Sequence, residues 1–159
     1  MIHKSNHTAK NPESRVLATI GAAEITVQDV ENWAEVGFDL IEEGQIVEAH
    51  DIFYGIVALA PATFLGYLGE AKVCFARNRP DVAESLLVVA TRCPDCHPEA
   101  HNTLGDLRLQ LGKYEAARSA FASAANARPQ DNAAVEHAQR MLRVLDTLTT
   151  VVPVTRPPS

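Results

Sequence analysis

A frame of 34 residues recurs three times in this chain and restricts its fold more than any other feature. Frames starting at Val30, Phe64 and Pro98 place Trp33, Tyr67 and His101 in one slot and Gly44, Asn78 and Gly112 in a second. Ala49, Ala83 and Ala117 share a third slot, and Phe53, Leu87 and Phe121 a fourth. A period of about 34 residues with bulky, turn and small positions at these offsets marks a helix-turn-helix solenoid repeat. The turn slot holds residues that tolerate a left-handed backbone and so ends the first helix (A) of each pair. Gly37, Ala71 and Gly105 on helix A, and the alanines on helix B, allow the two helices to cross closely. Trp33, Phe53, Tyr67, Leu87 and Phe121 supply the bulk around each crossing, and stacking of successive pairs buries it. The expected fold is all-α: a right-handed helical solenoid of three such pairs with a C-terminal capping helix.

The repeats resemble the tetratricopeptide repeat, whose pattern runs from a bulky residue through leucine-glycine, an aromatic, alanine, phenylalanine and proline. In the first repeat it falls on Trp33, Val36, Gly37, Leu40, Ala49, Phe53 and Pro61, and in the third on Leu104, Gly105, Ala117, Phe121 and Pro129. The second departs from it: Glu70 and Ala71 fill the leucine-glycine slots, Pro80 lies in the turn, and Pro94 comes one place before the expected proline.

The chain has 159 residues, enough for one domain with a proper core, and the repeats and caps use nearly all of them. Residues 1–25 read as a polar arm with a short apolar patch, 26–148 as the repeat domain (30–63, 64–97 and 98–131, then a capping helix at 133–148), and 149–159 as a proline-rich tail, non-helical over 151–159. The patch, Val16, Leu17 and Ile20, fits either a cap on the first repeat or a homodimer contact through the N-terminal region. Thr26 and Asp29 form a capping-box start for the first helix, expected over 27–43. The following helices are expected at 46–59, 63–77, 80–92, 98–111 and 114–127.

A formal net charge of -6 argues against a nucleic-acid partner, which requires a basic face. No apolar run is long enough to span a bilayer, and the polar opening lacks the apolar core of a secretory signal. The expectation is a cytoplasmic protein that binds other proteins and does not insert in membranes.

Cys93, Pro94, Asp95, Cys96 and His97 match the C-x-x-C-H pattern of covalent haem attachment. The motif falls at a repeat junction in a chain without an export signal, and an inter-repeat loop is the preferred reading. A thiol pair is the stronger chemical alternative, because Cys96 precedes a helix whose dipole lowers a thiol pKa. Zinc is disfavoured: Cys96 and His97 are adjacent, and His101 occupies a packing slot. Cys74 is expected as a buried free thiol. No nucleophile with its base, carboxylate pair or phosphate-binding glycine loop is present, so the sequence implies no enzyme, no catalytic residues, no metal and no cofactor.

In repeats of this kind helix A lines the concave face. The corresponding places hold Glu31, Ala34, Phe38 and Ile41, then Leu65, Leu68, Lys72 and Phe75, then Glu99, Asn102, Asp106 and Leu109. Of these, Ala34, Phe38, Ile41, Leu65, Leu68, Lys72, Phe75, Asn102 and Leu109 form the candidate peptide groove, with Phe38 and Leu68 expected to point into it. Its apolar character suits an extended peptide with hydrophobic anchors. The lysine-asparagine-arginine clamp with which some such domains hold the acidic chaperone terminus is missing, since its slots hold Ala34, Phe38, Gly69, Glu99 and Thr103.

The segments Val36-Gly37-Phe38-Asp39-Leu40 and Phe64-Leu65-Gly66-Tyr67-Leu68-Gly69 resemble the class II chaperones of bacterial type III secretion, across about residues 26–148. That resemblance implies a partner: a hydrophobic secreted translocator, bound before export through Phe38, Ile41, Leu65, Leu68 and Phe75. The alternative is a general scaffold subunit that binds a folded protein within a larger assembly.

Overall fold

The computed structural model describes residues 24–127 and 132–151, and the readings for the apolar patch and for the last residues of the tail lie outside them. Seven helices and no strand occur among the described residues: α1 (Val27–Glu42), α2 (Ile46–Leu59), α3 (Phe64–Ala76), α4 (Pro80–Ala90), α5 (Pro98–Gln110), α6 (Tyr114–Asn126) and α7 (Asn132–Val151). Each packs on the next, and the first helices of the pairs also meet, α1 with α3 and α5 with α7. This is an all-α solenoid of three helix pairs closed by a seventh helix.

Local chemistry sets the helix ends. Thr26 Oγ1 accepts the Asp29 amide (3.2 Å), while the Asp29 carboxylate accepts the Thr26 amide (2.9 Å), which satisfies two otherwise unpaired donors. Gly44 and Gly112 turn the chain at φ +78° and +71°, and Asn78 takes the same left-handed role at φ 56°. Pro80 opens α4 rather than disturbing the turn, because the first helical position needs no amide donor. The α4 helix ends at Ala90, ahead of the expected limit, and a turn carrying Cys93 and Pro94 follows. Conversely α7 continues to Val151, past the expected limit of the capping helix at 148.

Phe53 and Phe121 are fully buried. A Cβ on Gly37 would lie 2.6 Å from the Phe53 ring, one on Gly69 would overlap that ring, and one on Gly105 would lie 2.6 Å from Phe121. Glycine at these places therefore lets α1, α3 and α5 close on aromatic rings. Trp33, expected to serve as bulk, is 37% exposed. In the same slot Tyr67 is tied down by donating to the Pro61 carbonyl (3.1 Å), from a preceding loop that α1 lacks among the described residues.

One slot on the second helix of each pair joins consecutive units. His50, Glu84 and Arg118 occupy it, 34 residues apart. His50 Nδ1 meets Glu70 of α3 at 2.8 Å. Glu84 accepts from Arg108 (2.9 Å) and Lys113 (2.5 Å), and Arg118 pairs with Asp146 of α7. Glu70 and Glu84 are largely shielded, whereas Asp146 is mostly exposed, so the Arg118–Asp146 pair adds little stability.

Candidate functional site

The inner face of the solenoid is built by α1, α3 and α5, with α7 closing its end. The fifth place of each helix faces its neighbour rather than the groove: Ala34 is 2% exposed, Leu68 0% and Asn102 6%. Leu68 belongs to a cluster with Ala71, Leu87, Leu104 and Leu107, and is thus a core residue, contrary to the reading that it points into the concavity. Asn102 Nδ2 donates to the Ala134 carbonyl at 2.8 Å, which ties α7 to α5. These three side chains are buried and so are not available to a peptide.

The remaining candidates lie at the surface. Phe38 is half-buried, its ring 4.9 Å from that of Phe53, and the Lys72 ammonium sits 4.6 Å above its face. Lys72 also reaches Glu99 at 3.4 Å, so the middle of the groove carries a neutralised polar bridge over an aromatic floor. Ile41 and Leu65 are half-buried against the first core cluster, and Leu109 against the last. Phe75 is the most open of the predicted groove residues, at 45% exposed. Asp106 faces His137 of α7 at 3.2 Å.

Two clefts adjoin this face. One, of about 100 Å³ and open to solvent, lies between α3, α4 and α5, with Phe75 and Lys72 on one wall and Thr103, Asp106 and Leu107 on the other. Its floor is Leu87, in the slot that holds Phe53 and Phe121 in the flanking repeats. The frame equivalents of Gly37 and Gly69 are here Ala71 and Thr103, both lining the cleft. A smaller side chain in the floor, with larger ones on the walls, leaves a gap where the other junctions are filled. Sequence comparison of Gly69 with Thr103 carried this signal, but only the packing around Phe53 exposes its meaning.

The second cleft, of about 740 Å³, lies at the starts of α1, α3 and α5, between Ile25, Val30, Ala60, Leu65, Pro94 and His97. Asp95 stands on its wall and accepts from the Phe64 amide (2.9 Å) and the Thr63 hydroxyl (2.7 Å). The cysteine-motif loop therefore caps α3, whose own Thr63 makes no cap bond. No expectation from the sequence anticipated this, because the partners lie 31 residues apart.

None of the thiols is activated by a lowered pKa. Burial pushes Cys96 up to about 11, with help from Cys93 and Asp95, and raises Cys93 and Cys74 as well. Desolvation outweighs the helix-dipole effect expected for Cys96. His101 is half-buried, and burial lowers its pKa, in line with a packing role. Among the described residues no three His, Cys, Asp or Glu side chains converge to hold a metal ion. No helix among them is long and apolar enough to cross a membrane.

Helix pairs with these turns, crossings and inner face define a tetratricopeptide-repeat solenoid. No protein-family model matches the chain, and no curated protein does. Solved structures do match. The type III secretion translocator chaperone SycD of Yersinia enterocolitica superposes with a TM-score of 0.67 at 18% identity, covering 84% of this chain and 93% of that one. A type III secretion complex from Aeromonas hydrophila gives 0.66 at 23% identity, over 89% and 100%. The first tetratricopeptide domain of Spaghetti (RPAP3), bound to the HSP90 peptide SRMEEVD, gives 0.63 at 21% identity, over 79% and 97%. SycD is also known in complex with a peptide of the translocator YopD.

Proposed function

We propose that the protein is a non-enzymatic binding module that holds an extended apolar segment of a client along the face of α1, α3 and α5, and that it serves as a type III secretion chaperone for a hydrophobic translocator. The observation that carries this reading is the open apolar surface at Phe75 beside the cleft floored by Leu87, with Phe38, Ile41 and Leu65 half-buried along the same face. Such a surface offers pockets to apolar anchors, whereas the lone Lys72 bridge is already satisfied by Glu99. The absence of a cationic clamp in the slots of Ala34, Phe38, Gly69, Glu99 and Thr103 weighs against an acidic peptide of the kind RPAP3 binds.

Co-expression with a translocator, followed by affinity purification and measurement of Kd for its isolated segments, tests this. Phe75→Ala removes an exposed anchor, costs about 2 kcal/mol of binding, and so weakens capture roughly 30-fold without lowering Tm. Unchanged affinity in that variant would reject the groove. Val47, Tyr54 and Tyr114 on the second helices are 63%, 66% and 53% exposed, and they favour a second reading in which a folded partner docks on the outer face. Tyr54→Ala then weakens binding while Phe75→Ala does not.

A further inference from the structure

The C-x-x-C segment is left unused by the groove, yet its loop reaches across the molecule. The Cys96 amide donates to the Cys93 carbonyl at 3.1 Å, closing a four-residue turn. Such a turn brings its end Cα atoms within about 7 Å, and a disulfide spans about 4.4–6.8 Å between Cα atoms. Both thiols are half-buried, within reach of a small reagent, whereas Cys74 is packed in the core. Each now donates to a carbonyl, Cys93 Sγ to Val89 (3.6 Å) and Cys96 Sγ to His97 (3.5 Å), so rotation about Cα–Cβ is the movement required.

We propose that Cys93 and Cys96 are a disulfide-forming pair, and that the bond locks the loop from which Asp95 caps α3. The oxidant is a low-molecular-weight disulfide. Cys93 loses its proton to solvent and attacks one sulfur of that disulfide, expelling one thiolate. Cys96 then loses its proton and attacks the Cys93 sulfur of the mixed disulfide, expelling the second. Two protein thiols and one small disulfide become one protein disulfide and two small thiols. Cys96, the more strongly raised thiol, is the poorer first attacker, which assigns that step to Cys93. Sulfurs with high thiol pKa form the bond slowly and leave it slowly, so the pair behaves as a lock and not as an exchange catalyst. The lock matters because Asp95 lies between the two cysteines and carries the α3 cap and one wall of the larger cleft.

The test equilibrates the full chain in mixtures of reduced and oxidised glutathione, quenches with acid, and maps the tryptic fragment 93–108, which holds both cysteines. Loss of two hydrogens from that fragment, with Cys74 still alkylated, is expected. The oxidised protein should melt about 3 °C higher. Cys93→Ser abolishes the shift, and Asp95→Ala forms the bond but gains less from it. Persistent glutathione adducts at full oxidation, pairing through Cys74, or an equal shift in Asp95→Ala would overturn the proposal.

Discussion

The junction between the first and second repeats differs from that between the second and third, and the contrast explains where the molecule is open. At the first, four residues (60–63) link α2 to α3, Phe53 fills the space, and Gly37 and Gly69 let α1 and α3 close on its ring. At the second, seven residues (91–97) link α4 to α5, Leu87 stands where Phe53 did, and Ala71 and Thr103 replace the two glycines. There α3 and α5 barely approach one another, and the cleft of about 100 Å³ remains. A few atoms added to the walls and a ring removed from the floor turn a filled joint into an open one. Openness in a solenoid is thus a property of a junction and not of a repeat.

Removing the ring that fills the first joint should have the largest effect: Phe53→Ala loses about 4 kcal/mol, read as a lower urea midpoint. Gly69→Ala attacks the same joint by overpacking and should lose about 3 kcal/mol, since Phe53 has no room to give. Survival of Gly69→Ala with wild-type stability would show that α1 and α3 are looser than this packing implies.

Charge gives a third and smaller contrast. Glu84, at the second joint, is held below the usual carboxylate range first by Lys113 and then by Arg108. Its contribution to stability is present above the unfolded-state carboxylate pKa and is lost as pH falls through the lower folded value. Glu70, at the first joint, is pushed up chiefly by burial, although His50 opposes the shift. Its protonated form favours the fold, and that contribution disappears as pH rises through the raised folded value. Glu84→Gln should therefore cost about 1 kcal/mol at neutral pH, and the cost should shrink as pH falls through the lowered folded value. Glu70→Gln should raise Tm at neutral pH, with the gain vanishing on acidification. The smallest change is Leu87→Phe, which puts a ring into the open joint. It should raise stability by about 0.5 kcal/mol and, if clients use the cleft, weaken their binding.

The period of the chain made the helices and their ends legible, because caps and turns are short-range chemistry. Thr26 with Asp29, Gly44, Asn78 and Gly112 act within a few residues of themselves, and the helices start and stop beside them. The groove was legible only as a set of places on the first helices. Phe38, Ile41, Leu65, Lys72, Phe75 and Leu109 stay at the surface to different degrees, while Ala34, Leu68 and Asn102 do not.

The sequence alone determined that three helix pairs stack in one frame, since spacing and side-chain size suffice to specify a solenoid and its turns. It could not determine which inner residues remain accessible. That depends on how closely successive helices approach, and the approach is fixed by volumes contributed from three helices at once, as at Phe53 with Gly37 and Gly69. The Asp95 cap on α3 belongs to the same class. It joins groups 31 residues apart, and only the stacking of one repeat on the next brings that carboxylate to the helix end.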